Sequence, residues 1–171
     1  ELIALFKDQP FDFEPGEKFQ YNNSGYILLG AIIEKISGMP YAQFLQTQIF
    51  DRLGLTHTLY DDTARLVLGR VAGYSKGLEG LINTPYLSMT HPYAAGALIS
   101  NVDDLARWNA ALTAGELLRP KTLALAFQPY HLNNGESTGY GYGWSIWDYA
   151  GDTFIEHGGG INGFACGAVR V

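Results

Sequence analysis

The chain has little cysteine, little charge and no basic excess, and each scarcity removes a class of function. One cysteine among 171 residues, Cys166, excludes an internal disulfide framework and any multi-cysteine metal knuckle. Charged residues make up 16%, with 11 Lys and Arg against 17 Asp and Glu. The resulting net charge of −6 offers no field to hold a phosphate backbone, so nucleic acid is not an expected partner. Four histidines are present, yet no pair stands at i, i+4 and neither HExxH nor CxxC occurs, so no metal is expected. Gly158-Gly159-Gly160 lacks both the GxGxxG spacing and a following helix, which leaves nucleotide binding without support. The longest uncharged stretch, residues 81–102, contains Pro85, Pro92, His91, Asn83 and Asn101 and is too polar for a membrane span. No internal repeat or low-complexity segment occurs.

What is present reads as one globular domain: 47% hydrophobic and 13% aromatic residues, with 21 glycines for turns and close backbone approaches. Residues 1–7 read as a helix without an N-cap residue, and residues 163–171 as a strand without a following turn, so both ends are expected to fall within an element. From Ser24 to Ile36 the apolar positions go nearly all the way round a helix, which predicts a buried one. Gly38 stops it, Pro40 restarts the chain, and residues 41–50 form a second helix before the turn at Leu53-Gly54-Leu55. Residues 56–100 read as loops with one short hairpin around 71–82. Asn101 and Asp104 have the spacing of an acidic capping box, opening a helix that places Leu105, Trp108, Ala111 and Leu112 on one face before Gly115. Pro120 opens a short helix to Phe127. From Gly139 the period becomes that of a strand, with Tyr142, Trp144 and Trp147 as sheet-packing residues, a turn at Gly151-Asp152 and a second strand over 153–156. Gly158 to Gly160 then serve as a link to the final strand. The fold class is α+β in a single, incomplete domain: a mainly helical region over 1–130, then antiparallel strands over 131–171.

Two segments carry chemistry. Phe19-Gln20-Tyr21-Asn22-Asn23-Ser24-Gly25-Tyr26 leads into the apolar helix, and Glu156-His157-Gly158-Gly159-Gly160-Ile161-Asn162-Gly163-Phe164 closes the strand region. Taken alone, the first reads as a helix-entry aromatic with Asn23 or Ser24 as N-cap, and the second as a bulged connection with His157 at an edge. Together and in this order they resemble the YxN and third motifs of the serine β-lactamase-like superfamily. That superfamily includes class C β-lactamases, D-alanyl-D-alanine carboxypeptidases and penicillin-binding-protein-related hydrolases, and HxG here stands where other members have KTG. The stretches Ser37-Gly38-Met39-Pro40-Tyr41, Ala95-Gly96-Ala97-Leu98 and Gly141-Tyr142-Gly143-Trp144 are similar to the same family.

The resemblance implies a β-lactamase/transpeptidase-like fold with part of its antiparallel sheet, truncated at both ends. It also implies acyl-enzyme chemistry on amide or ester bonds, which needs a nucleophile, a base and donors aimed at the developing oxyanion. Tyr21 would be the proton-transfer partner and His157 the group replacing the KTG lysine. Asn23 would donate its amide to the acyl side, Gly158 and Gly159 would admit the substrate backbone, and the N–H of Gly160 would be an oxyanion donor. This chemistry requires no cofactor. The implied partner is a small-molecule or peptide substrate, with β-lactam, D-amino-acid peptide and ester all open, and the implied setting is periplasmic or extracellular.

One family element is missing from these residues. No Ser or Thr is followed by Lys three positions on, so the chain holds no SxxK. In the family that motif lies upstream of YxN. The expectations are therefore a chain that is inert by itself and a sheet whose exposed edges favour self-association. The alternative is a non-catalytic module that binds a peptide or a peptidoglycan stem.

Overall fold

The computed structural model describes residues 2–62 and 64–171. Of the expected opening helix, Glu1 lies outside the described residues and Leu2–Leu5 form a single 3-10 turn. Helix α1, Asn23–Ser37, is capped by neither Asn23 nor Ser24 but by Asn22, whose backbone is extended and whose side-chain oxygen accepts from the N–H of Gly25 at 2.9 Å. Gly38 ends it at φ 70°, a conformation glycine adopts without steric cost. Helix α2, Tyr41–Leu45, runs on through a π-helical turn at Gln46–Phe50 into α3, Asp51–Leu53, so the expected second helix exists with a wide turn inside it.

The expectation of an all-round buried α1 is corrected. One flank packs against α2 and the 3-10 turn Tyr93–Ala95, where Gly30 is buried because a Cβ there would stand 2.5 Å from that of Ala94. Leu29, Ile32 and Ile36, on another flank, remain exposed. The core lies beside α1: Leu45, Phe50, Leu53 and Leu55 pack on Ala111 of α4, Val102–Ala114, with Tyr41, Ile49, Trp108 and Leu117 around them.

Asn101 caps α4 by accepting from the N–H of Asp104 at 2.9 Å, but the capping box does not close. The buried Asp104 carboxylate turns instead to residues 57–58, accepting from the His57 N–H and the Thr58 hydroxyl, each at 2.8 Å. Leu105, expected on the inner face, is exposed for the same geometric reason: α4 is fixed by Asp104, Ala111 and Leu112. Strand β1, Leu59–Tyr60, pairs antiparallel with β4, Leu98–Ile99, a pairing that the loop-like sequence of this region conceals. The expected hairpin is β2, Tyr74–Lys76, with β3, Leu81–Asn83. Helix α5 spans Pro120–Ala126.

The sheet has the order β5-β6-β7, all antiparallel: β5 Ser145–Tyr149, β6 Asp152–Ile161 and β7 Phe164–Arg170. Two sequence expectations change here. The first strand starts at Ser145 rather than Gly139, because Gly139 and Gly143 sit at φ 65° and 82°, outside strand conformation. Gly158 to Gly160 are no link; they continue β6 and pair with Gly167, Cys166 and Ala165 of β7. Arg170 fastens the sheet's inner face to the helices, donating to the Asn109 carbonyl at 3.2 Å and the Thr113 hydroxyl at 2.8 Å with its guanidinium 5.2 Å from the centre of the Phe127 ring. Trp144 is buried between Trp108 and Phe127, whereas Tyr142 is exposed and Trp147 stacks on Phe154 of the outer face. Among the described residues no helix is long and apolar enough to cross a membrane.

Candidate active site

The cap of α1 sets the geometry of the first motif. With Asn22 as the capping residue, Tyr21 stands just outside the helix and Asn23 just inside it. Both are exposed, and the Asn23 side chain makes no hydrogen bond among the described residues, so its amide remains available. The Tyr21 ring lies 5.9 Å, centre to centre, from the imidazole of His157 on β6. The fold thus brings Tyr21 and His157 together from opposite ends of the chain.

Register decides what the glycines can do. The tight turn at residues 162–163 makes Ile161 and Phe164 a hydrogen-bonded pair, and in an antiparallel ladder such pairs alternate with pairs turned outward. The backbone groups of Ile161, Gly159 and His157 therefore face β7, and those of Gly160 and Gly158 face the opposite side. On that side β5 reaches only Ser145, which pairs with Glu156. From Gly158 to Ile161, β6 has a free edge among the described residues, with the N–H and C=O of Gly158 and Gly160 directed along it. Gly159, named from sequence as a substrate contact, directs its backbone to β7. Its side-chain position faces the Cys166 sulfur, 3.2 Å from where a Cβ would stand. Gly158, expected with Gly159 to admit the substrate backbone, holds the outward position.

Sequence reasoning missed Tyr140. Its hydroxyl lies 2.9 Å from His157 Nε2, its ring stacks on Phe19 at 5.3 Å, and Tyr21 meets it edge-on at 6.0 Å. Burial, then the neighbouring phenols of Tyr26 and Tyr21, push its own phenol well above the usual tyrosine range. Tyr26, one turn into α1, is raised by burial and partly offset by its polar contact with Tyr140. The alternating glycines of 139–144 were the available signal: a run of Gly-Tyr-Gly-Tyr-Gly-Trp is a poor strand and implies a tightly held loop.

With this geometry in view, comparison with known proteins is decisive. A family model described as Beta-lactamase matches residues 1–170. The chain belongs to the beta-lactamase family. Among curated relatives of this family member, penicillin-binding protein 4* of Bacillus subtilis is 33% identical over 173 residues, covering 92% of this chain and 38% of that protein. The octameric penicillin-binding protein homologue of Pyrococcus abyssi superposes with a TM-score of 0.82 at 28% identity, over 98% of this chain and 40% of that one. A D-stereospecific amidohydrolase from Streptomyces sp. gives a TM-score of 0.79 at 29% identity, over 94% and 49% respectively. The chain thus spans well under two thirds of the length of these relatives. The mixed α+β architecture with part of the sheet is that of the β-lactamase/transpeptidase-like fold.

Proposed function

We propose that these residues form two walls of an acyl-transfer site acting on amide or ester bonds. The observation that carries the reading is the approach of Tyr21 to His157 beside the free edge of β6. Tyr21, its ring 5.9 Å from that of the motif's histidine, moves the nucleophile's proton. Asn23 donates its free side-chain amide to the substrate's acyl carbonyl. The outward N–H of Gly160 stabilises the oxyanion, and the outward groups of Gly158 pair with the substrate backbone as an added strand would. His157, half-buried, offers a ring nitrogen that can donate or accept a hydrogen bond, where the lysine of KTG can only donate.

The nucleophile comes from a Ser-x-x-Lys segment outside these 171 residues, since none of the serines or threonines within them has a lysine three positions on. The chain by itself is therefore inert; loss of a catalytic serine costs on the order of 10⁶ in turnover in subtilisin. The names of the relatives, a D-stereospecific amidohydrolase and penicillin-binding proteins, support D-configured amides as the substrate class of the longer protein. Assays with a chromogenic β-lactam, a p-nitrophenyl ester and a D-amino-acid amide test the reading. The 171-residue chain should give no turnover and no fluorophosphonate adduct, while a longer chain bearing Ser-x-x-Lys should give both. An adduct on the short chain, or none on the longer one, overturns it. The free β6 edge also supports the simpler role of a peptide-binding module, which fits an inactive longer chain that still binds a D-alanyl-D-alanine peptide.

A further inference from the structure

His157 is the one ionisable group of the proposed site on β6, and its orientation is not set by its own strand. A strand residue fixes where its side chain starts but leaves the imidazole free to rotate through two broad χ2 wells, which exchange Nδ1 with Cδ2 and Nε2 with Cε1. The group that removes this freedom is the Tyr140 hydroxyl, 2.9 Å from Nε2.

The backbone of Tyr140 is held by contacts outside both motifs. Its carbonyl accepts from the Tyr130 N–H at 2.9 Å and from the Thr138 hydroxyl at 3.0 Å. Its neighbour Gly141 lies so close to the chain at the end of α5 that a Cβ would stand 2.4 Å from the Ala126 carbonyl oxygen. Three residues further on, Trp144 is fixed against Trp108 of α4 at 5.8 Å. The 139–144 loop is thus anchored to the helices, and it carries a phenol into the gap between the Tyr21 wall and the His157 strand. Phe19 at 5.3 Å and Tyr21 at 6.0 Å close around that ring.

We propose that Tyr140 is a positioning residue of this site: its hydroxyl engages His157 Nε2, fixes the ring's orientation and leaves Nδ1 as the nitrogen available to a substrate. The geometric part stands on the contacts above, and only its consequence for turnover rests on the acyl-transfer reading. Burial keeps the Tyr140 phenol protonated, so it acts as a neutral hydrogen-bonding group. The same ring ties the two walls together, because it touches residues of both.

The test uses nitrogen-15 shifts of the His157 imidazole near neutral pH, which report the tautomer and the hydrogen bonding of each ring nitrogen. In the native chain Nε2 should carry the signature of a hydrogen bond and one tautomer should dominate. Tyr140→Phe, which keeps the stacked ring, should shift Nε2 and bring the two nitrogen signals towards each other. Unchanged shifts in a folded Tyr140→Phe chain overturn the proposal. Should that variant fail to fold, 3-fluorotyrosine at position 140 alters the hydroxyl with the ring intact; it must then move Nε2 more than Nδ1, and equal or absent movement overturns the proposal. In a longer chain bearing Ser-x-x-Lys, Tyr140→Phe should lower kcat about 10-fold with KM little changed, the effect of one hydrogen bond. It should add nothing further to His157→Ala, and additive losses count against the proposal. Absence of hydrolysis in every form counts against the acyl-transfer reading alone, since the shifts decide the positioning role without it.

Discussion

Tyr21 and His157 face each other at 5.9 Å between ring centres, one fixed by the cap of α1 and the other by the register of β6. Because the two are held independently, each can be removed without displacing the other. In a longer chain bearing Ser-x-x-Lys, Tyr21→Phe should lower kcat by about 10²–10⁴, the usual weight of a proton-transfer group. The ring contacts survive, so the melting temperature should stay close to native. Steady-state kinetics beside a thermal melt check this, and retention of turnover would remove Tyr21 from the proton path.

Asp104 tests how the helical half is joined. Its buried carboxylate receives the His57 N–H and the Thr58 hydroxyl while its own N–H is capped by Asn101. Asp104→Ala leaves the two loop donors without their acceptor, at a cost of about 3 kcal/mol. Asp104→Asn keeps an acceptor and should recover part of the loss. Urea midpoints at constant m-value distinguish the two variants.

Much of this was legible in the sequence because it depends on local chemistry. Gly38 and Gly115 as helix stops, Asn101 as a cap and the strand pair at the end follow from backbone preferences of single residues. The pairing of β1 with β4 was not legible, since two-residue strands carry no period and their partner is set by distant packing. Gly158 to Gly160 read as a link because glycine has low strand propensity; tertiary pairing with β7 overrides that preference. The motif residues Tyr21, Asn23 and His157 were visible by resemblance, whereas Tyr140 belongs to the site only through the third dimension.

Gly141 offers a stability test separate from catalysis. A Cβ there would meet the Ala126 carbonyl oxygen at 2.4 Å and that of Gln128 at 2.9 Å, both backbone atoms that cannot rotate away. Gly141→Ala should therefore destabilise the chain by about 1–3 kcal/mol through overpacking. Because the strain falls on the loop carrying Tyr140, the His157 resonances should move as well. A neutral melt would show that the α5 end yields more easily than its backbone packing implies.

The outer face of the sheet predicts association. Trp147 stacks on Phe154 at 4.6 Å, and Tyr149 and Val169 beside them are exposed. Strand β7 also has no partner on its far edge among the described residues. An apolar face next to an unpaired edge favours pairing with another copy. Sedimentation velocity of the 171-residue chain should show weight-average mass rising with concentration, and Val169→Lys should reduce it. A monomer at every concentration would argue against this expectation.

Alkaline pH supplies the last test, and its sign follows from the tyrosines. Burial is the first cause that raises the phenols of Tyr26, Tyr41, Tyr60 and Tyr140 above 10, the value each regains on unfolding. Below pH 10 folded and unfolded chains hold these protons equally, and stability does not depend on them. Above it the unfolded chain releases protons that the folded chain retains, so stability falls as pH rises towards the folded values. Urea midpoints should be level between pH 7 and about 9 and should decline beyond about 10, in keeping with the ordinary phenol pKa. Tyr140→Phe removes one of these groups, and its decline should be shallower than that of the native chain. An equal slope in both would mean that the phenol of Tyr140 titrates as freely in the fold as in water, contrary to its burial beneath Phe19 and Tyr21.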